Sequence, residues 1–152
     1  LDAIKDNDLT VDHLLITHHH GDHVENNSVF KEKLGVEIIA HPKEADLLDD
    51  VDRETQPNET LEVGGLRIEF THTPGHSPGS IAIHVPVADA IFAGDGLTTR
   101  HVLTGRRGPQ PAPFTDDPRQ ALVSLGHLEG IPATWLLPGH GAPFAPAADT
   151  VR

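Results

Sequence analysis

Cysteine, methionine and tyrosine do not occur among the 152 residues. Without cysteine there is no disulfide framework, no thiolate metal site and no cysteine nucleophile. Without methionine the chain has no initiator, so we expect a processed protein or a piece of a longer one. Any leader would then be missing from it, although no secretory signal is visible at Leu1. Aromatic residues are scarce, with one Trp and five Phe, so the core must be built from Leu, Ile, Val and Ala. No apolar run approaches the roughly 20 residues of a membrane helix. Positive charge is also thin. Eleven Lys and Arg face 23 Asp and Glu, a formal charge of −12, which argues against general affinity for nucleic acid or anionic membranes. We expect a cytoplasmic protein acting on a small-molecule substrate, with no nucleic acid and no membrane as partners. Nothing in the pattern fixes the number of subunits.

What is abundant is histidine, at twelve residues. The elements around these histidines alternate between strand and helix, which predicts an α/β layered fold. Strands are expected at 13–17, 36–40, 61–63, 66–70, 80–85, 90–93 and 134–137. The pair 61–63 and 66–70 flanks Gly64-Gly65, a hairpin signal. Helices are expected at 29–34, from Pro42 to about Leu48, and after Asp117-Pro118. This last helix carries Ala121, Leu122, Leu125 and Leu128 on one face and stops at Gly130. The acidic stretch from Asp46 to Glu54 reads as a solvated helix end and loop. The segment Thr98–Thr115 is rich in Gly and Pro, lacks periodicity, and reads as a long loop, functional or disordered.

The first strand runs into Thr17-His18-His19-His20-Gly21-Asp22-His23. In extended backbone, residues two apart point to the same side. His18 and His20 can therefore share one metal ion while His19 points away, and a turn could aim Asp22 and His23 at a second. Imidazole and carboxylate suit zinc and related metals. Three further strands end in metal-capable side chains beside glycine, at Pro74-Gly75-His76, Gly94-Asp95 and Pro138-Gly139-His140-Gly141. Ligand sites gather beyond strand ends in open α/β sheets. Any one of these spots alone would be an ordinary loop residue, but four in one order are hard to dismiss.

That order resembles the metallo-β-lactamase superfamily, and most of all its hydroxyacylglutathione hydrolase (glyoxalase II) type. The motifs span Thr17 to Gly141. The resemblance implies an αββα sandwich and two divalent metal ions, zinc before iron or manganese. It implies that His18, His20 and His76 hold the first ion, that Asp22, His23 and His140 hold the second, and that Asp95 bridges them. Lactamases of the superfamily commonly carry Cys where Asp95 stands, which lowers the odds of antibiotic hydrolysis. Only sixteen residues precede Thr17, so the N-terminal sheet should be incomplete and the first strand should lack neighbours. We expect residues 1–152 to be one domain of this type, truncated at the N-terminus and also at the C-terminus, where 147–152 reads as the start of a helix.

Two ions roughly 3.5–4 Å apart share a water and lower its pKa towards neutrality. A bridging hydroxide would then attack a carbonyl carbon, with Asp22 as the catalytic residue that orients it. The reaction expected is hydrolysis of a thioester, ester or lactone. The rival readings are a persulfide dioxygenase with a single iron, or a nuclease of the same superfamily. The remaining histidines 13, 41, 72, 84 and 127 are assigned packing or surface roles, with His41 near the metal face. His101, Arg100, Arg106 and Arg107, in the long loop after Asp95, read either as a solvated basic loop or as substrate contacts.

Overall fold

A computed structural model describes residues 1–145. Its elements in chain order are α1 (Asp2–Asp6), β1 (His13–Leu15), α2 (Gly21–Val24), α3 (Asn27–Leu34), β2 (Glu37–Ala40), α4 (Pro42–Ala45), β3 (Arg53–Glu54), β4 (Thr60–Val63), β5 (Leu66–His72), β6 (Ile81–Val85), β7 (Ala90–Gly94), β8 (Thr98–Arg100), β9 (Arg107–Gln110), α5 (Pro118–Leu125) and β10 (Trp135–Pro138). The parallel strands β1-β2-β3 form a small sheet, and a five-stranded sheet has the order β10-β7-β6-β5-β4.

Strand alternation explains the layering. In β1, Leu14 packs with Ile16, Val36, Ile38 and Ala40 under Val24 and Phe30 of the helices. Its neighbour Leu15 points the other way and packs on Ile68, Ile81 and Ile83 of the large sheet. The far face of that sheet presents Ala82, Ile91, Ala93 and Leu136 to Leu125 and Leu128. The result is helix on sheet on sheet on helix, as the sequence led us to expect. Among the described residues nothing pairs with the outer edge of β1. On the inter-sheet face, Phe92 is the register partner of Ile83. Phe92 and Trp135 nevertheless remain exposed, because three short strands do not cover five.

Several expectations need correction. The segment 98–115 is not structureless, since β8 and β9 pair as a ribbon. Thr98 faces Gln110 and Arg100 faces Arg107, so Gly108 and Pro109 both oppose Thr99 in a bulge. A bulge tolerates proline and hides the alternation that would reveal a strand. Leu122 is 60% exposed, because the buried stripe of α5 runs through Ala121, Ser124 and Leu125. Helix α4 stops at Ala45 rather than near Leu48. The acidic stretch 46–54 is more than a solvated loop, since Asp52 accepts hydrogen bonds from the Ile38 amide (2.9 Å) and Lys31 Nζ (2.6 Å). The helix expected at 147–152 lies outside the described residues. Among those residues no helix is long and apolar enough to cross a membrane.

Leu136 is fully buried between β7 and the helical layer. Leu136→Ala should cost about 2–5 kcal/mol, whereas Leu122→Ala should stay within about 0.5 kcal/mol. Denaturant midpoints check both, and equal losses would contradict the layer assignment.

Candidate metal centre

Each strand end delivers its motif to one edge of the sandwich. After β1 the chain bends at Thr17 and is again extended at His20, whose φ of −62° and ψ of 143° place it at the start of α2. That short helix carries Asp22 and His23. The turn after β5 brings His76, the end of β7 brings Asp95, and the end of β10 brings His140. Backbone bonds lock these ends together. The Ile81 amide donates to Thr17 O (3.0 Å) and the Gly139 amide to Gly94 O (2.8 Å).

The structure brings all seven predicted residues into one cluster of three overlapping groups. They are His18, His20 and His76; His18, His23 and Asp95; and Asp22, His23 and His140. Within each group one ligand atom per residue lies within 4.8 Å of the others. His76 Nε2 is 3.0 Å from His20 Nδ1, and His140 Nε2 is 3.0 Å from Asp22 Oδ2. Asp95 sits between the outer two groups. Its Oδ2 is 3.7 Å from His76 Nε2 and 3.5 Å from His140 Nε2, and its Oδ1 is 3.5 Å from His23 Nε2. At Gly139 even a β-carbon would collide with Asp95 Oδ1 and approach His23 Cε1 to 2.9 Å. Only glycine lets this turn close over the carboxylate.

The electrostatics suit a cation. Burial, then the neighbouring His23 and His76, push the His18 pKa down to about 2. Burial likewise lowers His76 to about 4, with His20 and His23 adding to the shift. Both imidazoles are therefore neutral at pH 7 and offer lone pairs. The Asp95 carboxylate holds His23 above its ordinary value. Burial pushes Asp95 itself up, but His23, His18 and His140 outweigh it and keep the carboxyl below its usual range. Meanwhile His18 Nε2, His23 Nε2 and Asp95 Oδ1 are buried without a hydrogen-bond partner. Buried polar atoms are seldom left so. Three lone-pair atoms converging without donors fit a borderline divalent ion held by nitrogen and oxygen.

Neighbouring threonines hold these residues in place. Thr115 Oγ1 donates its one proton to Ala112 O (2.7 Å). It must therefore accept from His76 Nδ1 (3.0 Å), which leaves Nε2 of His76 as the free lone pair. Thr17 Oγ1 pairs with His18 Nδ1 at 3.1 Å. Thr98 Oγ1 and the Thr99 amide both donate to His140 O. His19 does turn away from the cluster, to the buried carboxylate of Glu44. Lone threonines and one glutamate in an ordinary helix leave no sequence signal, because only the folded chain makes them neighbours.

A cavity of about 890 Å³ opens beside His140, lined also by Arg100, Arg107, Val102 and Phe144. Arg100 and Arg107 face each other across the β8–β9 ribbon. His101 and Arg106 do not line it. His101 Nδ1 instead accepts from the Leu103 and Thr104 amides of its own turn. His41 stacks on His72 at 4.1 Å and accepts from the Lys43 amide, so it is a packing and capping residue.

The sequence pattern of the Metallo-beta-lactamase superfamily matches residues 1–140. A hydroxyacylglutathione hydrolase of Rhizobium meliloti is 36% identical over 97 residues, which cover 64% of this chain and 38% of that protein. The matched part thus spans little more than a third of that relative. Among solved structures, the BLEG-1 B3 metallo-beta-lactamase superposes with a TM-score of 0.79 at 24% identity, covering 99% of this chain and 79% of its own. TTHA1623, solved in a di-iron-bound form, superposes with a TM-score of 0.70 at 25% identity, covering 97% and 79%.

The lowered values of His18 and His76 carry a pH signature in the metal-free chain. An unfolded imidazole gains a proton below pH 6.5, while the folded ones refuse it until about pH 4 for His76 and about pH 2 for His18. Stability present above pH 6.5 should therefore fall on acidification towards pH 4, by up to about 1.4 kcal/mol per pH unit for each imidazole. Nitrogen NMR of the metal-free protein at pH 5.5 should show both rings neutral. Protonated rings there would contradict the buried geometry.

Proposed function

The chain belongs to the metallo-beta-lactamase superfamily, and from that premise we propose that it carries the centre of a two-metal hydrolase acting on a thioester, ester or lactone. The observation that carries this reading is the position of Asp95, with one carboxylate in reach of His76 on one side and of His140 and His23 on the other. In this reading His18, His20 and His76 hold one ion, Asp22, His23 and His140 hold the second, and Asp95 touches both. The all-nitrogen first group and the mixed second group suit zinc. The di-iron form of TTHA1623 makes iron the alternative to test.

Two divalent ions so held would lower the pKa of a shared water towards neutrality and polarise a carbonyl oxygen. The chain supplies the rest. Asp22 is 59% exposed at the mouth of the site. One of its oxygens faces His140, and the other is free to accept the proton of the attacking water and aim its lone pair. Thr115 keeps Nε2 of His76 unprotonated. The guanidiniums of Arg100 and Arg107, on the wall next to His140, would bind an acidic part of a small substrate. A single-iron persulfide dioxygenase would need only one group. The convergence of Asp22, His23 and His140 into a separate one favours two ions.

Metal analysis should find two ions per chain, with turnover of a thioester or a lactone. One iron per chain, with oxygen uptake on a persulfide and no hydrolysis, would sink the hydrolase reading. Asp22→Asn should lose the second ion while the first stays, and should slow single turnover about 10²–10⁴-fold. Normal turnover with both ions bound would make Asp22 a dispensable ligand.

A further inference from the structure

Glu44 lies on helix α4, outside every motif, and its side chain is wholly buried. Buried carboxylates are rare unless paired and hydrogen-bonded. Here four donors meet one carboxylate. Oε2 accepts from the backbone amide of His19 (2.8 Å) and from its Nδ1 (2.6 Å). Oε1 accepts from Ser77 Oγ (2.7 Å) and from the Gly79 amide (2.5 Å). Ser77, having given its proton to Glu44, accepts in turn from Ser80 Oγ (2.7 Å). A β-carbon at Gly79 would stand 2.8 Å from Glu44 Oε1, so glycine is what admits the carboxylate there.

The two sets of donors lie on the two loops that matter most. His19 stands between His18 and His20, and Ser77 follows His76. We propose that Glu44 is the positioning residue of the first ion's site: by clamping the His18–His20 loop to the His76 loop, it sets the spacing of three imidazoles that it never touches. Burial opposes the charge, yet the bonds from Ser77, His19 and Gly79 hold the carboxyl below its usual value. The bonding requires the anion. A glutamine here would turn its amide NH₂ against either the His19 or the Gly79 backbone N–H, neither of which can become an acceptor.

This inference rests on the two-ion reading, so its test isolates the groups. In a His23→Ala background, which leaves His18/His20/His76 as the one complete group of the three, cobalt affinity is measured with a competing chelator, with and without Glu44→Gln. Removal of such outer partners typically costs about 10–100-fold in affinity. We expect a loss in that range, with an altered cobalt visible spectrum. In a His18→Ala background, which leaves Asp22, His23 and His140 as the one complete group of the three, Glu44→Gln should change affinity less than about threefold. Ser77→Ala removes one donor and leaves the carboxylate in place, so it gives a milder second variant if Glu44→Gln does not fold. It should weaken the first group alone. Unchanged affinity in both variants, or equal losses at both groups, would overturn the positioning role. A wild-type chain that binds no cobalt would instead overturn the reading of the site, and this role with it.

Discussion

The buried carboxylate of Glu44 is the tie on which the site's geometry depends. The small sheet supplies His18 and His20, the large sheet supplies His76, and the inter-sheet core of Leu15, Ile68, Ile81 and Ile83 is apolar and non-directional. Such packing decides that the sheets meet, but it does not fix two loops to within a few tenths of an ångström. Four directed hydrogen bonds to one anion do. The Thr17–Ile81 backbone bond and the Gly139–Gly94 bond extend the same fixing to the other strand ends. His18 and His76 can thus remain neutral at the buried side of the cluster.

The two halves of the centre are unequal. His18 and His76 are almost inaccessible and keep their protons off, whereas Asp22 is exposed and His140, partly exposed, lines the cavity. The buried half suits tight, geometry-defined binding, and the open half suits exchange and contact with substrate. Charge is divided in a similar way. The chain is strongly acidic, yet no Asp or Glu falls between Asp95 and Asp116, while Arg100, Arg106 and Arg107 do. Two of these three line the cavity next to His140. An acidic substrate would be repelled by most of the surface and drawn to this wall.

How much was legible beforehand follows from where each signal resides. Period-two spacing placed His18 and His20 on one side and His19 on the other, and in the structure His18 and His20 do share a group while His19 turns to Glu44. Glycine beside each strand end marked His76, Asp95 and His140, because close approach needs glycine whatever the partner. The layered α/β class followed from the alternation of strands and helices along the chain, and the order of the four layers from the family resemblance. The β8–β9 ribbon escaped because its bulge puts two residues opposite one and breaks the alternation. Leu122 was misplaced because a helix stripe is narrower than a count of leucines. Glu44 and Thr115 escaped for a different reason. Their partners lie 25 and 39 positions away, and no periodicity within one segment encodes a hydrogen bond between two.

The spacing of the seven residues along the chain also bears on how the protein reaches its folded state. His18 and His140 are 122 positions apart, while His18, His20, Asp22 and His23 fall within six consecutive residues. Contacts across such separations carry a loop-closure cost and form slowly. The complete centre therefore closes only once β10 has docked on β7. The local run needs no docking and already offers ligands in the unfolded chain. An ion will bind there weakly before any sheet exists, and whatever it gains from the unfolded state is subtracted from the stabilisation it gives the native one. The metal's effect on the melting temperature should accordingly fall short of what its affinity for the finished site would imply.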